Sequence, residues 1–267
     1  MVQTLTATAE PDYARVLLSI TWDTPTAPAT ATISRVNADG STEVVRSANP
    51  APLVAGQWVG HDYDPGLDSV ISYVATSTDQ PGTVIESTEI TLPSQGKSWL
   101  KHPGKPSMNR IVTVVRPPSL TRPIDVGVFS VLGRRLPIAV STTRRSATGT
   151  LELASFTEDD RAGLLNLFSD GAVLLFTAPN GYGVGRLFLA VGDVEEVNPS
   201  GAGTEPSRVW TVPFTEVGAP AGDVLAAGNS YSDVLGAYGS YSDLLQSEGT
   251  YEGLLAGIGQ PTAPGAP

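Results

Sequence analysis

The sequence predicts a mainly β protein in three parts. These are an amino-terminal β-sandwich over residues 1–93, a second sandwich with one packed helix over residues 109–218, and a tail of short helical repeats over residues 219–258. Three observations carry this reading. Short runs of Val, Ile, Thr and Tyr are separated by clusters of Pro, Gly, Asn and Asp, which is the rhythm of sandwich strands and turns. One later stretch combines helix caps with a helical apolar face. The last stretch repeats every ten residues, as AGDVLAAGNS, YSDVLGAYGS, YSDLLQSEGT and YEGLLAGIGQ.

In the first part, residues 15–22 place Val16, Leu18, Ile20 and Trp22 on one face of a strand. Residues 31–36 and 42–46 flank Asn37-Ala38-Asp39-Gly40 and read as a hairpin. Residues 70–76 and 84–92 complete the pattern. The early Trp22 and the late Tyr73, after Asp64-Pro65-Gly66, resemble immunoglobulin-like and fibronectin type III modules. Residues 94–108, with their Pro, Gly and Ser content, read as a linker. Trp99 and Leu100 are apolar residues in that polar stretch and are expected at an interface.

In the second part, strands are expected at residues 111–115, 124–131, 136–141, 148–153, 172–177, 186–191 and 208–214. A helix is expected over 158–169. Thr157 caps it, Asp160 can close a capping box, and Glu158 and Asp159 suit the positive end of the helix dipole. Leu164, Leu165, Leu167 and Phe168 form its apolar face, and Gly171 ends it.

The tail repeats contain no His, Cys, Lys or Arg. Ser230, Ser240 and Thr250 are helix caps, and the units then place Tyr231 with Val234 and Leu235, Tyr241 with Leu244 and Leu245, and Tyr251 with Leu254 and Leu255 on one face. Helices this short are marginal in water, so each is expected to order against a neighbour. Residues 259–267 read as a flexible end.

Charge narrows the function classes. The net charge is −11, but residues 97–145 carry 10 basic and 1 acidic side chains, while residues 219–267 carry 0 and 5. An acidic chain is a poor nucleic-acid binder as a whole. Arg134, Arg135, Arg144 and Arg145 bracket a strand pair and are expected to meet acidic surfaces of adjacent subunits or the acidic tail. No run reaches the ~18 apolar residues of a membrane helix. MVQTLTATAE lacks the basic start and apolar stretch of a secretory signal, so export by that route is not expected.

The chemical inventory is thin. There is no cysteine, and the two histidines are His61 and His102. His61-Asp62 with Asp64 could suggest a metal or a base, but HDYDPG reads as a solvated loop between strands. His102 lies in the linker, and no nucleophile elbow, HExxH helix or phosphate loop accompanies either histidine. Gly181-Tyr182-Gly183-Val184-Gly185 reads as a hairpin turn. No catalytic residue, cofactor site or metal site is expected. Trp58 and Tyr63 are the candidates for glycan contact.

The segments WLKHPGKPSMNR, GRRLPIAVSTTRRSATGTLEL, APNGYGVGR and RVWTVPFTEV, followed by the tyrosine-led repeats, resemble in that order minor tail proteins of long-tailed bacteriophages infecting actinobacteria. The helix-containing sandwich is similar to the distal tail protein. This resemblance implies a non-enzymatic virion component, a six-fold ring of identical copies where the tail tube meets the tip, and contacts with tail-tube and tip-hub proteins. The alternative is a carbohydrate- or receptor-binding module of a tail tip or cell-surface assembly.

Overall fold

The computed structural model describes residues 3–22, 27–80, 82–130, 132, 134–169, 171–200 and 205–220. The repeat residues Tyr231, Leu235, Tyr241, Leu244, Leu245, Tyr251, Leu254 and Leu255 lie outside them. The described chain is mainly β, with a single α-helix among the described residues. It divides into two units, the first holding residues 3–111 and 175–186 and the second residues 112–174 and 187–219.

The first unit begins with β1 (Thr4–Glu10), β2 (Arg15–Thr21), β3 (Thr30–Val36), β4 (Thr42–Val44), β5 (Ala51–Pro52) and β6 (Gln57–Asp62). It continues with β7 (Val70–Thr76), β8 (Val84–Glu86), β9 (Ile90–Thr91) and β10 (Ser98–Lys101). One antiparallel sheet has the order β1-β2-β6, and another β4-β3-β7-β8, with β5 on β3 and β9 on β7. Alternation does the sorting. Val16, Leu18 and Ile20 of β2, Ala31 and Ile33 of β3, and Ile71, Tyr73 and Ala75 of β7 enter one shared core with Trp22 and Leu92. Trp22 keeps its polar atom satisfied by donating from Nε1 to Gln80 Oε1 at 2.9 Å.

The β3–β4 hairpin forms where the sequence places it. Asn37 N donates to Ser41 O at 2.9 Å, and Gly40 takes φ +79°, a left-handed conformation that costs glycine little. The 94–108 stretch is more structured than a bare connection. All four residues of β10 are buried, so Trp99 and Leu100 do not face outward. Their cover comes from far along the chain.

The second unit opens with β11 (Arg110–Thr121), β12 (Val126–Phe129), β13 (Ile138–Ser141), β14 (Thr148–Ser155) and α1 (Glu158–Phe168). The chain then returns to the first unit through β15 (Leu174–Thr177), which pairs antiparallel with β10 as Trp99↔Thr177, Leu100↔Phe176 and Lys101↔Leu175. It re-enters the second unit along β16 (Arg186–Val191), followed by β17 (Glu195–Val197) and β18 (Arg208–Val217). Within this unit β14 pairs with β18 over eight residues from Thr148↔Thr215 to Ser155↔Arg208. β14 also borders β11, and β18 borders β16 and β17.

Helix α1 starts as its cap dictates, because Thr157 Oγ1 accepts from Asp160 N at 3.1 Å. It buries Gly163, Leu164 and Leu167, and Phe168 meets Trp210 with ring centroids 6.3 Å apart. Leu165, expected on the apolar face, is exposed instead. Trp210 Nε1 donates to Ser155 Oγ at 2.9 Å. Gly149 is required by close approach, since a Cβ there would lie 2.5 Å from Ser119 O.

Candidate functional site

Two constellations stand out, one in each unit. The first is an ionic cluster inside the first unit. Strand alternation carries Arg35 inward in phase with Ala31 and Ile33, and places Tyr73 opposite it on β7. Asp62, at the end of β6, points into the same space. Arg35 Nη1 donates to Asp62 Oδ2 at 2.5 Å, Tyr73 Oη donates to the same oxygen at 3.1 Å, and Arg35 Nη2 donates to Glu43 Oε2 at 2.8 Å.

Arg186 adds a second guanidinium. It pairs with Glu43 through Nη2 and donates from Nη1 to Asp64 O at 2.8 Å. Arg46 Nε donates to Asp64 Oδ2 at 2.6 Å. Lys101, fully buried, donates from Nζ to Ala14 O at 2.5 Å and to Tyr63 O at 3.0 Å.

Electrostatics follow from this packing. Burial alone would raise the Asp62 and Glu43 carboxyls, but the adjacent guanidiniums of Arg35 and Arg186 overcome it and hold both below the usual range. Burial, together with the charge of Asp62, pushes the Tyr73 hydroxyl up. Burial pushes Lys101 down to about 8, against the pull of Asp64 and Asp62. The groups neutralise one another, and the carboxylates are consumed by structural ion pairs.

The expectation of a solvated HDYDPG loop is therefore corrected. His61 and Asp62 end strand β6, and His61, Asp62 and Asp64 are all buried. Burial pushes the His61 imidazole below its usual value, and Glu10, 3.5 Å away, only partly opposes it. His102 is buried too, its Nδ1 accepting from Gly104 N at 3.0 Å and its backbone N donating to Asn109 Oδ1 at 2.9 Å. No group of three or more His, Cys, Asp or Glu side chains among the described residues is arranged to hold a metal ion. Trp58 is half-buried against the core and lies over Gly60 of its own strand. Tyr63 is half-buried beside His61, with ring centroids 5.6 Å apart.

The second constellation is the β12–β13 hairpin of the second unit. Its register runs Val126↔Ser141, Gly127↔Val140, Val128↔Ala139 and Phe129↔Ile138. Among the described residues, neither strand pairs with another sheet. One face carries Val126, Val128 and Ala139. The other carries Val140, Ile138 and Phe129, whose ring folds over Gly127. Val128 is 62 % exposed, Phe129 59 % and Val140 59 %. Leu132, Leu136 and Ile138 are exposed as well.

The four arginines expected around this strand pair are exposed, Arg134 and Arg135 in the loop between its strands and Arg144 and Arg145 beyond the end of β13. Arg145 pairs with Asp125, and Arg144 Nη1 donates to Arg122 O at 3.2 Å. Arg134 and Arg135 flank the apolar tip. Of the interface residues expected from the sequence, Arg134, Arg135, Arg144 and Arg145 are thus brought to one exposed element. Trp99 and Leu100 are spent inside the first unit, 3 % and 0 % exposed.

The apolar faces of the hairpin were not singled out in sequence, although a signal is present. Apolar residues fall at both parities, Val126 and Val128 with Phe129, then Ile138 and Val140 with Ala139. Such strands are normally covered on both sides. The buried cluster had a signal too, in the phase of Arg35 on β3.

Comparison with known proteins adds little to this geometry. No family model matches the chain, and no curated protein matches it. Among solved structures, it is similar to a chain of the tail of an empty GTA particle with C6 symmetry. That similarity has 13 % identity and a TM-score of 0.31, and covers 46 % of this chain and 91 % of the other.

Proposed function

We propose that this chain is a non-enzymatic structural protein of a phage tail tip, which assembles with copies of itself into a ring at the distal end of the tail tube and attaches neighbouring tail proteins. The observation that carries the proposal is the β12–β13 hairpin, apolar on both faces and exposed on both. A two-stranded ribbon alone is marginally stable in water, and exposed apolar surface of this kind marks an association site. Each hairpin offers two different strand edges. Edge-to-edge pairing of that type is heterologous, and closes into a ring when the rotation between copies permits.

The ordered sequence resemblance to actinobacteriophage minor tail proteins supports the same reading and supplies the expectation of six copies. The inward commitment of His61, Asp62 and Asp64 favours a scaffold over a reaction centre. The first unit, read as an immunoglobulin-like sandwich, would decorate the ring.

The test is the state of association of the purified full chain with Val128→Glu and Ile138→Glu, measured by sedimentation velocity. The wild type is expected to form a discrete ring-sized species and the double variant a folded monomer. A wild type that stays monomeric at high concentration, and that is absent from tail particles by imaging, would sink the proposal.

A further inference from the structure

We infer that the exposed apolar surface of the β12–β13 hairpin is the docking surface for residues 221–258 of a second copy of this chain. The inference rests on the ring reading above and names the partner of one of its surfaces. Edge pairing would satisfy the main chain of the hairpin. Its side-chain faces would still need cover.

Two observations identify the occupant. The first is charge. The segment around the hairpin, residues 110–145, contains Arg110, Arg116, Arg122, Arg134, Arg135, Arg144 and Arg145 against the single acid Asp125. Arg116 is taken by Glu152 and Arg145 by Asp125. Arg134, Arg135 and Arg144 have no acidic partner among the described residues. Residues 221–258 carry Asp223, Asp233, Asp243, Glu248 and Glu252 and no basic residue.

The second observation is the match of apolar content and reach. Each tyrosine-led unit of the tail contains at least one aromatic and two aliphatic side chains within a few residues of a carboxylate, as in Tyr231-Ser-Asp233-Val234-Leu235. The hairpin presents the complementary mixture, Val128, Phe129, Leu136, Ile138 and Val140, together with the exposed guanidiniums of Arg134, Arg135 and Arg144. A segment of 38 residues spans up to ~125 Å when extended and ~57 Å when helical, so the tail can leave its own copy. Nucleic acid fits less well, because Phe129 is the single aromatic residue between Arg110 and Arg145, and strand binding relies on several stacking rings.

The experiment uses the full chain with p-benzoylphenylalanine in place of Phe129, prepared in normal and ¹⁵N-labelled form, mixed, assembled and irradiated. The expected products join position 129 of one isotopic form to peptides from residues 221–258 of the other. Replacing Arg134, Arg135 and Arg144 together by Glu should lower their yield about tenfold, the combined effect of a few exposed ion pairs. Adding Asp223→Lys, Asp233→Lys and Asp243→Lys should restore it. Cross-links confined to other hairpins, or to the tail of the same copy, in an intact assembly would overturn this inference while leaving the ring standing. Loss of the tail cross-links on adding an equimolar DNA duplex, with the assembly intact, would assign the arginines to nucleic acid and overturn it too. Absence of both assembly and cross-links would overturn it together with the ring reading.

Discussion

At the scale of single residues, the first unit depends on charges that cannot be removed one at a time. Asp62 is the acceptor for both Arg35 and Tyr73. Asp62→Asn leaves the Arg35 guanidinium buried with a weaker partner, and removing one member of a buried pair typically costs 3–5 kcal/mol. Because Glu43 and Asn37 remain bonded to Arg35, a loss of about 3 kcal/mol is expected, read as a lower urea midpoint with an unchanged slope.

Lys101 gives a pH signature. Its pKa is about 8 in the folded chain against an ordinary 10.5. Between those values the unfolded chain binds the proton and the folded chain does not, so stability rises with pH, by at most about 1.4 kcal/mol per unit. The rise should be visible from about pH 8 to 10. Above that range Tyr73, whose hydroxyl is pushed up by burial, holds its proton when unfolded tyrosines have lost theirs, and stability falls again. Lys101→Met should abolish the rise in pH-dependent chemical denaturation. The phase of Arg35, in step with Ala31 and Ile33, was a signal of its burial that the hairpin reading left unused, whereas Lys101 lay in a stretch whose prolines and glycines spoke only of a connection.

At the scale of elements, legibility followed the range of the interactions. Helix α1 was readable because its determinants are local: Thr157 caps it, carboxylates fill its first turn, and Gly171 takes φ +63° just beyond its end. Thr157→Ala should cost about 1 kcal/mol and lower the melting temperature by a few degrees, checked by circular dichroism. The β3–β4 hairpin was readable for the same reason. Strand β10 was not, because its partner β15 arrives more than 70 residues later and no turn signal announces it. The hairpin arginines were legible as a charge cluster. The uncovered faces between them were not, since a sequence shows that residues are apolar but not which surface is left without a neighbour.

At the scale of the whole molecule, the first unit is assembled from two stretches of chain. Residues 175–186 complete it by covering β10 and by carrying Arg186 to Glu43. A chain ended after Ile111 lacks both contributions, exposes Trp99 and Leu100, and leaves Glu43 with Arg35 and Asn37. Such a fragment is expected to lose cooperative unfolding and to bind a hydrophobic dye, whereas adding back the missing stretch as a peptide should recover part of its stability. A cooperative transition in the fragment alone would show that the returning stretch is dispensable. The domain limits expected from composition, near residues 93, 109 and 218, marked where the local texture changes. They could not register a chain that leaves a unit and comes back to finish it.

That return has a mechanical meaning. The backbone passes between the two units at residues 111–112, at 174–175 and again at 186–187. A single nick at any one of these crossings leaves the others joining the two units, and the severed stretch stays in place by its packing, as residues 3–111 do against 175–186. In a chain without a single disulfide, redundancy of this kind provides durability through the order in which the chain is threaded.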